Sequence, residues 1–227
     1  MTNAPTLTPT RAVAIERLGR IAYLEADAWQ RAAAEAVRRG GLERLALVEH
    51  PPVITLGARA DRAHVLVSDS VLAQRGASIA EADRGGDVTF HGPGQLVAYP
   101  ILDLRARGLR AADYVRTLER TASETLATFD IEATRRAGTP GAWVGDRKIA
   151  AVGVRIDRGI SRHGLALNID VDLGWFDLIV PCGIEDAGVT SLAAERAPRG
   201  LETPSMDAVI DAFVGAFMRV FESESTR

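Results

Sequence analysis

Four stretches of this 227-residue chain carry side chains able to do chemistry. The first holds a lone thiol. Cys182 is the only cysteine, set in Leu178-Ile179-Val180-Pro181-Cys182-Gly183-Ile184. It cannot close an internal disulfide or complete a cysteine-rich metal site. It is either a small buried residue or a reactive thiolate. The apolar run that Pro181 breaks reads as a strand ending in a turn, a setting that presents a side chain to a cleft. The second stretch holds Lys148, which follows the Gly145-Asp146 turn and opens the uncharged strand Ile149 to Gly153. It is either a solvated turn residue or an ammonium held at a rigid strand edge. Held there, it would stabilise a nearby thiolate and lower a cysteine pKa from about 8.5 towards neutrality.

The third stretch is Arg84-Gly85-Gly86-Asp87-Val88-Thr89-Phe90-His91-Gly92-Pro93-Gly94-Gln95. Four glycines and one proline in twelve residues argue against a stable helix or central strand. Such a backbone can approach a ligand closely, and Arg84, His91 and Gln95 add directional polar groups. For Gly92-Pro93-Gly94 alone, a plain turn suffices. The pattern is neither a P-loop nor a dinucleotide fingerprint. The fourth stretch, His163-Gly164-Leu165-Ala166-Leu167-Asn168, is a strand of small residues. It leaves room for a flat or linear ligand, or lets a helix pack closely. His50 and His64 have no partner at metal-ligand spacing and are assigned no role. With no H-x-x-x-H or Cys/His cluster, no metal site is expected, at His91 and His163 included.

The elements that must position these residues are read from periodicity. Tyr23 to Arg39 reads as a helix stopped by Gly40-Gly41, with Leu24, Ala28, Ala32 and Ala36 as its apolar face. Leu45 to Glu49, Val53 to Leu56 and Leu96 to Leu102 read as strands, and Ala111 to Phe129 as a second long helix. Gly141 to Val144, Lys148 to Ile156 and Gly164 to Val171 read as three strands joined by short turns. Thr203-Pro204 reads as the cap and first turn of a final helix with the stripe Met206, Val209, Ile210, Phe213, Phe217 and Val220. The fold class expected is α+β, a mixed β-sheet with flanking helices. Residues 1–20 are expected to be a partly flexible N-terminus, and residues 21–227 a single catalytic domain.

Hydrophobic content of 47% and charged content of 25% fit an ordinary globular chain. Net charge is −3, so no global field favours nucleic acid. With one thiol and neither an export signal nor a membrane span in view, a cytoplasmic location is expected. A monomer without nucleic-acid or membrane partners is expected too.

The four stretches occur in an informative order. Arg84-Gly85-Gly86, His91-Gly92-Pro93-Gly94-Gln95, Lys148-Ile149 with Gly153, Gly164-Leu165-Ala166-Leu167-Asn168, Pro181-Cys182-Gly183-Ile184 and Val189-Thr190-Ser191-Leu192 follow one another. In this the chain resembles the octanoyl-[acyl-carrier-protein]:protein N-octanoyltransferases of lipoate synthesis, from about Tyr23 to the final helix. The resemblance implies a biotin/lipoate protein ligase-like fold enclosing an acyl tunnel. It implies Cys182 as nucleophile and Lys148 as its partner. It implies an acyl pocket lined by Arg84, Gly85, Gly86, Asp87, Val88, Thr89, Phe90 and His91, by Ala151, Val152 and Gly153, and by Gly164, Leu165 and Ala166. His91 is expected to orient the thioester or the amine.

The same resemblance implies octanoyl-acyl carrier protein as donor, through its phosphopantetheine arm. The implied acceptors are lipoyl domains of 2-oxoacid dehydrogenase E2 subunits and the glycine cleavage H protein. A thioester is already activated, so no ATP, metal or other cofactor is expected. An ATP-dependent lipoate or biotin ligase would need the lysine and the glycine-rich segment but not the cysteine. A binding-only relative would need neither nucleophile nor base, and a papain-like hydrolase lacks its signature here. Since the carrier domains are typically acidic, basic docking residues are sought among Arg105, Arg107, Arg110 and Arg116, or Arg135 and Arg136.

Overall fold

A computed structural model describes residues 11–180 and 188–224. Cys182, with Pro181, Gly183 and Ile184, lies outside the described residues, as does the tail Met1 to Thr10. In chain order the elements begin with β1 (Val13–Arg20), α1 (Tyr23–Arg38), β2 (Glu43–Glu49), β3 (Val53–Leu56), α2 (Asp69–Gln74) and β4 (Ser78–Glu81). Then come β5 (Val88–His91), β6 (Gln95–Ile101), α3 (Ala111–Ala127), β7 (Gly141–Val144), β8 (Arg147–Asp157) and β9 (Ile160–Asn168). The chain closes with β10 (Gly188–Val189), α4 (Leu192–Arg196) and α5 (Met206–Glu224). No helix among the described residues is long and apolar enough to cross a membrane.

The fold is the expected α+β arrangement of mixed sheets with flanking helices. A seven-stranded sheet runs β1-β2-β6-β9-β8-β10, with β7 paired to β8, and a three-stranded sheet runs β4-β3-β5. Strands β1 and β2 are parallel, as are β10 and β8, while β2, β6, β9 and β8 are mutually antiparallel.

Both faces of the large sheet are covered, which is why β2, β6 and β9 read as near-continuous apolar runs. Alternation sends Leu45, Leu47, Leu96, Ala98, Leu165 and Leu167 to one face, against Leu118 of α3 and Phe213 and Phe217 of α5. It sends Ala46, Val48, Val97, Tyr99 and Ala166 to the other, against Ala26 of α1. The small sheet has its own apolar cluster, centred on Ile54, Val88, Phe90 and Phe176.

Several expectations change. Residues 13–20, assigned by sequence to the N-terminal tail, form β1, whose parallel partner β2 only the tertiary structure supplies. Helix α1 buries Tyr23, Ala26, Gln30, Ala33, Ala34 and Val37, whereas Leu24, Ala28 and Ala32 are exposed. An alanine-rich helix offers little apolar contrast, and the larger Tyr23 and Val37 choose the face. Leu178 ends a 3₁₀ helix rather than lying in a strand, and Ile179 makes a single bridge to Val65. The last helix starts at Met206, with Ser205 Oγ accepting from Ala208 N at 3.2 Å, so Ser205 caps it rather than Thr203. Strand β9 starts before Gly164 and ends at Asn168, where Ile169 N turns to Gly94 O at 3.0 Å.

Candidate active site

The floor of the site is made where β6, β9 and β8 carry small side chains in register. Val97 pairs with Ala166, Ala166 with Ala151, and Gly164 with Gly153. Above this floor lies the Arg84 to His91 segment, and between them is a cavity of about 50 Å³. Arg84, Gly85, Gly86, Thr89 and His91 line it from above, and Ala151, Val152, Gly153, Gly164, Leu165, Ala166 and Val97 from below. Close approach requires the glycines. A Cβ on Gly153 would come within 3.0 Å of Gly85 O, and one on Gly57 within 2.4 Å of Gly86 O. The segment is stitched down at both sides, by Gly85 N to Val154 O at 2.9 Å and Arg59 N to Gly86 O at 3.1 Å. Arg84 donates from Nη2 to Thr55 O at 2.8 Å and Thr55 Oγ1 at 2.7 Å, so its guanidinium ties the segment to β3.

Not every residue of the segment faces this chamber. β5 is a four-residue edge strand within the glycine-rich stretch, and its side chains alternate. Thr89 and His91 face the cavity, while Val88 and Phe90 turn into the core of the small sheet. Phe90 stacks on Trp175 at 5.0 Å and meets Phe176 edge-on at 5.7 Å. Val88 and Phe90, expected by sequence to contact the acyl group, line neither cavity. Asp87 accepts from Asp61 N at 3.1 Å, is bonded to His64 Nδ1, and lines an outer cavity.

That outer cavity, about 470 Å³, shares Gly85, Gly86, Val152 and Gly153 with the inner one as lining residues. Lys148 stands in its wall, with Arg59, Val115 of α3 and the turn Gly138 to Pro140. The Gly145-Asp146 hairpin forms as expected, with Gly145 at φ +59° supplying the positive first dihedral of a II′ turn. Lys148 Nζ sits 4.9 Å from the centroid of the buried Trp143 ring, and Arg136 lies 5.2 Å from the same ring. Such contacts contribute about 0.5–2 kcal/mol and orient the ammonium. The Lys148 carbonyl accepts from Thr190 N at 3.0 Å, which fixes the start of β8 against the chain entering α4.

Beside the Arg84 guanidinium, the histidines and tyrosines around the inner chamber are neutral. Burial first, then electrostatic opposition from His50 and Arg84, holds His91 down to about 3. Burial lowers His50 against the pull of its hydrogen bond to Ile21 O, and pushes Tyr23 up to about 12. His50 Nδ1 lies 2.8 Å from Ile21 O, a pure acceptor, so Nδ1 donates and Nε2 accepts from Tyr99 Oη at 2.8 Å. Tyr23 lies parallel to the His91 ring at 6.3 Å, and its Oη is buried without a hydrogen-bond partner among the described residues.

Periodicity could not reveal Tyr23, His50, Tyr99 and Trp143 as parts of the site. Their neighbours come from distant elements, and they carry no local motif.

His163, at φ +56°, breaks the alternation of β9, so both it and Arg162 reach Asp83. Asp27, Asp83 and His163 bring three ligand atoms within 4.8 Å of one another. Arg31 Nε, at 2.8 Å from Asp27, and Arg162 already compensate these carboxylates, which makes the group an ion-pair network. Burial opposes ionisation of Asp83, but the hydrogen bonds from His163 and Arg162 prevail and hold it at about 2.

The arginines sought for docking divide. Arg107 is buried, with Nη2 on Glu43 at 2.5 Å, which removes it from any surface patch. Arg110 and Arg116 share Asp113, Arg135 holds Glu119, and Arg105 is exposed.

Residues 22–218 match the lipoyl protein ligase A/B catalytic domain. An octanoyltransferase of Acidobacterium capsulatum is 50% identical over 218 residues, covering 90% of this chain and 88% of its own length. The chain belongs to the octanoyltransferase family. Its fold is shared by proteins of much lower sequence identity. A bipartite lipoate protein ligase of Thermoplasma acidophilum, described with its E2 lipoyl domain, superposes with a TM-score of 0.68 at 16% identity, over 92% of this chain and 84% of that one. A biotin protein ligase of Aquifex aeolicus gives 0.56 at 11% identity, over 92% and 71%.

Proposed function

We propose that the protein transfers an octanoyl group from acyl carrier protein to a lysine of a lipoyl domain, through a thioester on Cys182. The observation that carries this reading is the small-residue chamber that shares a wall with the cavity of Lys148, in a chain of the octanoyltransferase family. The Cys182 thiolate attacks the octanoyl thioester carbonyl. A new C–S bond forms, the phosphopantetheine thiolate leaves with its electron pair, and it takes a proton from the Lys148 ammonium, which leaves Lys148 as the neutral amine for the second step. The energy changes little, since one thioester replaces another. The amine of the acceptor lysine then attacks. The C–N bond forms, the C–S bond to Cys182 breaks, and the stable amide makes this step downhill.

Lys148 has two roles. As an ammonium it favours the Cys182 thiolate in the first step. In the second it relays the proton that the amine loses. Arg84 to Asp87, Thr89 and His91 lie over the chain, and Ala151 to Gly153 and Gly164 to Ala166 lie beneath it. Backbone N–H donors aimed at the developing oxyanion would lower the barrier of both steps. Neither ATP nor a metal has a step to perform. The donor is octanoyl-acyl carrier protein, and the acceptors are lipoyl domains of E2 subunits and the H protein, in the cytoplasm.

The decisive experiment mixes the protein with octanoyl-acyl carrier protein and a lipoyl domain, with a chelator and no ATP. Octanoylated lipoyl domain is expected, with one octanoyl adduct on Cys182 when the acceptor is withheld. Product that requires ATP and free octanoate would overturn the reading in favour of a ligase. Acyl binding without an adduct would make the protein a binding-only relative.

A further inference from the structure

His91 is 7% exposed at the end of β5, and its Nδ1 lies 2.7 Å from Gln95 Oε1. Which atom carries the proton follows from a chain of partners that ends on main-chain carbonyls. Asn168 Nδ2 lies 2.9 Å from Thr190 O, and a carbonyl oxygen only accepts, so the Asn168 amino group points there. Its Oδ1 therefore faces Gln95 Nε2, at 2.9 Å. Gln95 Nε2 also donates to Phe90 O at 3.3 Å, which turns Gln95 Oε1 towards His91. His91 Nδ1 must then be the donor. In the neutral ring Nε2 keeps its lone pair, on a side chain that lines the inner chamber.

The lone pair selects among the reacting groups. A thioester carbonyl and the oxyanion formed from it only accept hydrogen bonds, so a bare Nε2 repels them. The attacking amine brings N–H bonds, which a lone pair attracts. We propose that Gln95 and Asn168 are positioning residues that hold His91 as the Nδ1–H tautomer, so that its Nε2 lone pair orients the attacking amine. This inference rests on the acyl-transfer reading above. The ring orients the amine without keeping its proton. At about 3, against roughly 10.4 for a free lysine ammonium, it is far too weak a base. The proton passes to Lys148 as the C–N bond forms and the Cys182 thiolate leaves.

The same rail reaches Lys148. Thr190, whose carbonyl receives Asn168, gives its N–H to Lys148 O at 3.0 Å. One amide at the end of β9 thus ties the His91 orientation to the strand end that carries Lys148. The other groups facing His91 are Tyr23 from α1, His50 from beyond β2, Arg84 from the covering segment and His163 from β9. Arg84 and the two histidines oppose a charge on the ring.

The test uses the intact protein labelled with ¹⁵N-histidine, together with single-turnover rates of the two half-reactions. The spectrum is expected to show His91 neutral and protonated at Nδ1 at pH 7. Gln95→Glu keeps an acceptor for Nδ1–H but adds a negative charge and removes both donors. His91 then becomes imidazolium, aminolysis of the acyl-enzyme slows at least tenfold, and acylation from octanoyl-acyl carrier protein, which needs no lone pair on Nε2, is not slowed. Gln95→Met is the second variant and serves if the first does not fold. It frees the ring to take the Nε2–H tautomer, with the same split between half-reactions. An Nε2–H or imidazolium signal in the unmodified protein, or equal slowing of both half-reactions, overturns the proposal. If the unmodified protein transfers no octanoyl group, the acyl-transfer reading fails, while the spectrum still decides the tautomer.

Discussion

The two faces of the seven-stranded sheet handle buried polar groups in opposite ways. On the face packed by α3 and α5, the buried polar side chains have partners, through the ion pairs Arg107–Glu43 and Arg135–Glu119 and through the threonines of α3. Thr117, Thr121 and Thr125 each return a hydrogen bond to the carbonyl four residues back, at 2.8, 2.8 and 2.7 Å. Around them the packing is apolar, and Phe213, Phe217, Leu118 and Leu165 are at most 2% exposed. On the chamber face the polar groups find partners far away in sequence, as Gln95 does in Asn168 and Gln30 in His163. Some find none. Tyr23 Oη and Gln30 Nε2 are buried without a partner among the described residues. An unmet buried polar atom costs about 1–3 kcal/mol. The helix face therefore holds the fold together, and the chamber face spends stability on a preorganised pocket.

The sharpest way to break this contrast is a pair of substitutions, one on each side. Lys148→Ala is expected to lower octanoyl transfer by on the order of 10²–10⁴-fold, the usual worth of a positioned acid or base. Its urea midpoint should barely move. Phe213→Ala is expected to cost about 3–5 kcal/mol of stability, because it leaves a cavity in a tightly packed layer. The specific activity of its folded fraction should stay within twofold. If Lys148→Ala unfolded the protein, or Phe213→Ala altered turnover of the folded fraction, the division of labour between the faces would be wrong.

What the sequence disclosed follows the same division. Helices α3 and α5 and the β7–β8 hairpin are legible because their signals are local: an apolar stripe, a Gly-Asp turn, an uncharged strand. The glycine-rich segment is legible as a close-approach backbone, and the Gly153 and Gly57 contacts bear that out. The chamber's polar network is not legible, since Gln95 and Asn168 are 73 positions apart and no periodicity links them. Arg107 read as a surface charge because its partner Glu43 is 64 positions away. β1 escaped notice because Ile15-Glu16-Arg17-Leu18 shows no apolar alternation; only its pairing with β2 turns Glu16 and Leu18 inward and Ile15 and Arg17 outward.

A smaller change sharpens the account of the chamber floor. Ala151 sits in the row with Ala166 and Val97, where the octanoyl tail is proposed to lie. Ala151→Leu adds three carbon atoms to that floor and should displace about two methylenes of the acyl chain. At about 0.8 kcal/mol per methylene, preference should shift roughly tenfold towards hexanoyl over octanoyl donors. Competition between the two donors, read by mass spectrometry of the lipoyl domain, measures it. An unchanged ratio would place the tail elsewhere.

The smallest expected effect tests which way α1 is turned. Leu24 is 68% exposed, although spacing alone puts it at the head of an apolar face with Ala28, Ala32 and Ala36. Leu24→Gln is therefore expected to change stability by no more than about 0.5 kcal/mol, the range of an ordinary surface substitution. Ala26, two residues on, is fully buried against Ala46, Val48 and Tyr99. Ala26→Leu should cost about 1–3 kcal/mol through overpacking. The order of these two numbers decides the helix's rotation, and with it the placement of Tyr23 beside His91. A destabilisation of Leu24→Gln larger than that of Ala26→Leu would turn α1 over and take Tyr23 away from the chamber.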